Sequence, residues 1–160
     1  MSSLYQKSIE FLFEKGGHRI FHSNRTFIEH CVGVAKYLTE LKCDEKVIIA
    51  GLLHNVYGNE KFDTGFNVSK KEIVDLVGID IEKLIYLFSI CNRNKICDYK
   101  DLSLLLIFLV NEFEQSNLSY ESKTIIFDLI KFIKQECEME FNMSLVQEKM
   151  KIINDEYKKL

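Results

Sequence analysis

The stretch AGLLHNVYGNEKF, residues 50–62, decides how the rest of the chain is read. It starts as the apolar end of a helix and finishes as a polar loop. His54-Asn55 stands between the two, where the pattern asks for more leucine. Gly58 can take backbone angles closed to other residues and turn the chain sharply over the helix end. A buried imidazole needs both ring nitrogens satisfied, by hydrogen bonds or by a metal. A lone core histidine is more often structural, so its neighbours decide between an enzyme, a binding module and a plain helical bundle.

Working outward, residues 3–15 put Leu4, Ile9, Leu12 and Phe13 on one helical stripe that Gly16-Gly17 ends. Asn24 is the expected cap of a second helix, with Phe27, Val34, Leu38 and Leu41 inward and Glu29, Lys36 and Glu40 outward. A third helix is predicted from Asp44 to about Val56, followed by a loop over 57–67. Further helices are predicted over 69–77, 80–92, 102–115, from Asn117 to about Cys137, and over 143–158. The helix over 102–115 is apolar almost all round, which makes it the central one. No run alternates with period two, so no sheet of consequence is expected. The chain lacks proline, repeats and linkers, and reads as one all-α domain of seven or eight helices over residues 1–160.

A chain of 160 residues can bury a real core. Its net charge of −3 argues against a dedicated nucleic-acid or membrane surface. The longest apolar stretch, LLLIFLV at 104–110, is far too short for a bilayer, and no N-terminal apolar run resembles a signal peptide. A cytoplasmic protein is expected. The five cysteines are odd in number and lack metal-site spacing, so reduced thiols are expected, with Cys31 and Cys91 as packing residues.

All four histidines fall between residues 18 and 54. His30 lies on the inward stripe of its helix and shares that face with Gly33. His54 follows Ala50 and Gly51 by four and three positions. Small residues beside a polar one let two helix backbones approach closely. An antiparallel hairpin would bring His30, early in one helix, to His54, late in the next. Glu60 follows Gly58 and would point back toward the imidazoles, as tautomer-orienting group, general base or cation ligand, unless it is an exposed loop residue. Arg25 and His22 sit at the entrance of the second helix, where backbone N–H groups favour an anion. Arg25 and Arg93 suit a phosphate or carboxylate, or are solvated cations paired with surface acids. Tyr57 offers a hydroxyl or a core ring. Asn111 should face the core, as polar glue or as a ligand contact.

Those residues carry a resemblance. Glu29-His30, followed by VIIAGLLH with its histidine 24 residues on, resembles the HD-domain superfamily of metal-dependent phosphohydrolases. HSNRTFIEH at 22–30 and AGLLHNVYGNEKF at 50–62 resemble more closely a group of HD-like domains of unknown function, the DUF6817 type. The likeness covers roughly residues 15–115, with its specific part at 22–62. It implies a compact HD-like helical fold and a divalent metal (Mn, Fe, Zn or Mg) held by His30, His54 and the residue at 55. It also implies catalytic roles for His54, Glu60 and His22, and substrate contacts from Arg25, Arg93, Tyr57 and Asn111.

The sequence departs from the superfamily where Asn55 replaces the aspartate of His-Asp and where the late aspartate falls near Asn111. Neutral amides are poor substitutes for carboxylates around hard cations. Three readings stay open: a hydrolase of a small phosphorylated or carboxylated metabolite, an iron-dependent oxygenase of the same superfamily, and a degenerate HD fold that binds without turnover. Residues 123–133 (KTIIFDLIKFI) are apolar enough to pack inward or against a second copy.

Overall fold

The computed structural model of the chain describes residues 2–22, 24–59, 62–115 and 120–136. It is an all-α, HD-like assembly. In order come α1 (Ser3–Glu14), α2 (Phe27–Glu40), α3 (Glu45–Leu53), α4 (Lys70–Val77), α5 (Ile79–Ile90), α6 (Leu102–Glu114) and α7 (Tyr120–Glu136). Two 3-10 turns, Gly17–Arg19 and Arg93–Tyr99, lie between them. The helix expected over 143–158 lies outside the described residues. None of the described helices is long and apolar enough to cross a membrane.

The strands are minimal: β1 (Phe21–His22) pairs antiparallel with β2 (Arg25–Thr26), Phe21 opposite Thr26. This clip corrects the expected cap of α2. Asn24 stays in the turn of the clip, and Thr26, the residue that leaves it, becomes the N-cap. Thr26 accepts from the Glu29 N–H while Glu29 accepts from the Thr26 N–H at 2.7 Å, a reciprocal capping box. Ser69 and Glu72 repeat the device at the start of α4.

Glu72 also accepts from Lys15 Nζ at 2.6 Å, tying α4 to the end of α1. The Lys15 bond first, and then the bonds from Ser69, hold the Glu72 carboxyl down to about 2 from an ordinary 4.5. A carboxyl depressed in the folded state contributes stability above its ordinary value and loses it as pH falls toward 2. Glu72→Gln is therefore expected to flatten the fall of melting temperature between pH 4.5 and 2. Identical slopes for variant and parent would contradict this.

α2 packs on α3 and α6, and α6 packs on α7. Phe27, Val34, Leu38 and Leu41 are all buried, as their spacing requires. α6 is buried continuously from Leu104 to Glu114, which makes it the central helix. α7 covers it with Ile126, Leu129 and Ile133, three positions on one helical stripe. Phe13 is a correction: the inward line of α1 runs through Ser8 and Leu12, so Phe13 is turned out and stacks on His18 at 5.2 Å. Gly51 does give space, but to hydrocarbon, because a Cβ there would run into Leu38 and lie 3.3 Å from Val34 Cγ1.

Candidate functional site

α3 stops at Leu53 rather than near Val56, because residues 54–57 tighten into a turn. Val56 N–H bonds Leu53 C=O at 3.0 Å, and Gly58 N–H bonds Asn55 C=O at 2.9 Å. Gly58 then takes φ +71, the left-handed angle anticipated for it, where a Cβ would be strained and would lie a tight 3.1 Å from the Phe62 carbonyl oxygen. The turn aims His54 at His30 of α2. Their Nε2 atoms stand 3.3 Å apart, with the rings edge to face.

The hydrogens around His54 are fixed from both ends. Phe62 N–H, which can only donate, bonds Asn59 Oδ1 at 3.1 Å. Asn59 Nδ2 must then donate to Asn55 Oδ1, at 2.7 Å, and Asn55 Nδ2 to His54 Nε2, at 2.8 Å. His54 Nδ1 meets the Gly51 carbonyl at 2.7 Å and carries the ring hydrogen. His54 is thus the Nδ1–H tautomer, with an accepting Nε2. Asn55, expected among metal ligands, turns its donor and not its oxygen toward the imidazole.

Behind His30 lies a residue the sequence reading did not single out. Glu114, near the end of α6 and 6% exposed, meets His30 Nδ1 through Oε2 and the Arg25 guanidinium through Oε1. Arg25 Nη2 also donates to the Glu114 carbonyl at 2.5 Å. Gly33 makes this possible, since a Cβ there would collide with the Glu114 side chain, 2.9 Å from its Cγ. The signal was present in LLLIFLVNEFE: a carboxylate inside a helix that is apolar all round must have buried partners.

A second buried acid, Glu112, pairs with Arg93 and accepts from Asn111 Nδ2 at 3.4 Å. A third, Glu82 of α5, accepts from Tyr57 Oη at 3.1 Å and faces Lys70 at 3.5 Å. Burial first, and then the bond to Glu82, raises the Tyr57 phenol. Three groups expected to greet an anionic substrate, Arg25, Arg93 and Tyr57, are thus each tied to a buried carboxylate. Glu60 lies outside the described residues, as does the side chain of His22.

A cavity of about 220 Å³ is bounded by Asn59, Phe88, Ser89, Arg93, Phe108 and Asn111. It shares Asn59 and Ser89 with a wider, more open hollow bordered by Tyr57, Gly58, Lys70 and Tyr86. The imidazoles do not line either, and both histidines are 0% exposed. His54 stands one layer back, its ring edge-on to Phe88 at 4.8 Å and linked to Asn59 through Asn55. The imidazole pair is therefore a closed polar cluster beside a cavity. The reason is packing: Phe88 stacks on Phe108 at 4.3 Å and walls the pair off.

The donor chemistry suits one ion of borderline softness better than a pair of hard cations. Two imidazole nitrogens at about 2.0–2.1 Å from a tetrahedral ion lie about 3.3–3.4 Å apart, which matches the 3.3 Å found. The carboxylate behind one ring and the carbonyl behind the other are the outer supports such ligands use. Asn55 and Asn111 supply no charge for Mg or Mn. Among the described residues no group of three His, Cys, Asp or Glu side chains is placed to hold a metal.

Comparison with known proteins adds the following. The family model described as a domain of unknown function, DUF6817, matches residues 11–93. A solved structure of a metazoan ortholog of SpoT, described as hydrolysing ppGpp and playing a role in starvation responses, is similar in fold with a TM-score of 0.58. It is 15% identical, and the match covers 87% of this chain and 98% of that one. No curated protein matches the chain significantly.

Proposed function

This chain belongs to the DUF6817 family of domains of unknown function, and from that membership and its HD-like fold we propose that it is a hydrolase of a small anionic metabolite centred on His30 and His54. The observation that carries the reading is the pair of facing Nε2 atoms, 3.3 Å apart. Each ring is locked from behind, His30 by Glu114 and His54 by the Gly51 carbonyl. An imidazole whose Nδ1 hydrogen is held in this way keeps its Nε2 basic and pointed. Two such nitrogens aimed at one another hold a positive centre between them, a proton or an ion. A bound borderline ion would supply Lewis acidity at that point. An ion there would displace the Asn55 amide hydrogen from His54 Nε2.

Under this reading His54 moves the proton, and Glu60, between Asn59 and Phe62, acts as general base or further ligand. His22 would share the catalytic work, and Arg25, Arg93, Tyr57 and Asn111 position the substrate. The metazoan protein of similar fold acts on ppGpp, so phosphorylated nucleotides are the first substrates to test. Purified chain loaded with Zn or Fe is expected to retain about one ion per chain, and His30→Ala and His54→Ala each to lose it while keeping a parental helical circular-dichroism spectrum. Turnover of a phosphoester panel should fall at least a hundredfold in His54→Ala. Parental turnover in both variants would end the reading.

One observation favours the second reading, binding without turnover. Arg25 and Arg93 are already neutralised by Glu114 and Glu112. Ligand-induced stabilisation with no product from any phosphoester would select it.

A further inference from the structure

The cavity beside the imidazoles is not built for an anion. Its only cation among the bounding side chains named above is Arg93, and Glu112, fully buried behind it, cancels that charge. Glu112 also fixes which atoms remain. A carboxylate only accepts, so Asn111 must turn Nδ2 to it, which leaves Oδ1 facing elsewhere. Asn111 is 6% exposed, and its Oδ1 has no hydrogen-bond partner among the described residues. Arg93 Nε is likewise a buried donor without a partner. Both residues bond the same oxygen, Glu112 Oε1, and both line the cavity. Unsatisfied buried groups are rare in folded proteins and mark places where something else supplies the partner.

Two phenylalanines form one part of the wall. Phe88 and Phe108 stack at 4.3 Å and both line the cavity. The volume of about 220 Å³ falls below the about 300–1,000 Å³ typical of whole drug-sized ligands, which suits one ring system. We infer that this cavity binds the neutral planar heterocycle of a ligand, of the nucleobase class, through a hydrogen-bonding edge that pairs with Asn111 Oδ1 and Arg93 Nε. An acceptor on that edge meets Arg93, and a neighbouring N–H meets Asn111. An anion would be repelled by the Asn111 oxygen and would find no net charge.

The inference rests on the proposed site for placing the cavity within the substrate pocket, but its test is binding and not turnover. Adenosine, guanosine, cytidine and uridine are titrated singly into the intact chain by calorimetry, alongside inorganic pyrophosphate. At least one nucleoside is expected to bind, and its N-methylated analogue, blocked on the pairing edge, to bind at least tenfold more weakly. Asn111→Leu should weaken the same nucleoside at least tenfold, and Asn111→Ala serves if leucine disturbs the fold. Pyrophosphate should leave the nucleoside's affinity unchanged. Failure of all four nucleosides to bind the folded chain overturns the inference, as does a nucleoside whose affinity ignores both the methyl group and Asn111. A chain that hydrolyses phosphoesters yet ignores nucleosides keeps the hydrolase reading and loses this one. The converse result does the opposite.

Discussion

Glu114→Ala should lower the unfolding free energy by about 2–4 kcal/mol, the range for removing one partner from a buried charged hydrogen-bond set. The carboxylate is the common partner of Arg25 and His30. Without it the Nδ1 hydrogen of a fully buried imidazole loses its acceptor. The guanidinium loses less, because its side chain is 33% exposed and can recover water. Arg25→Met strips a cation from a carboxylate that is 2% exposed and should therefore also cost stability, while Glu114→Gln should cost less than Glu114→Ala, keeping an acceptor for His30 without the charge. Urea denaturation read by circular dichroism gives all three values. A parental midpoint for Glu114→Ala would show that the imidazole does not depend on the carboxylate.

Phe88→Ala should cost about 3–5 kcal/mol, the range for emptying a buried aromatic site. Phe88 is 4% exposed and touches both Phe108 and His54. Its loss would also join the cavity to the imidazole behind it. His54 should then react with diethyl pyrocarbonate at conditions where the folded parent protects it, a change mass spectrometry resolves from the outward His18. Phe88→Leu should lose less stability and keep most of the protection. Protection of His54 retained in folded Phe88→Ala would mean that other side chains form the barrier.

Much of this arrangement was legible in the sequence because periodicity and punctuation are local. The inward positions of α2, the all-round burial of α6 and the stops at Gly16 and Gly78 follow from spacing alone. The meeting of His30 and His54 was legible for the same reason: an antiparallel hairpin fixes which ends face each other. Long-range choices were not legible. Glu114 lies 84 residues from His30, and nothing local says which of the two glutamates near the end of α6 will take the imidazole and which the arginine of the 3-10 turn. Arg25 and Arg93 looked available to a substrate because their buried partners come from a distant helix. Asn24 looked like the cap because the clip that displaces it pairs only two residues on each side.

Between the Phe62 amide and the Gly51 carbonyl every hydrogen points the same way, so the row of bonds through Asn59, Asn55 and His54 has a head and a tail. None of its members can reverse while the others stand. Which nitrogen of the imidazole stays basic is thus set from two sides, by the Gly51 carbonyl of its own helix and, through two amides, by the loop that follows.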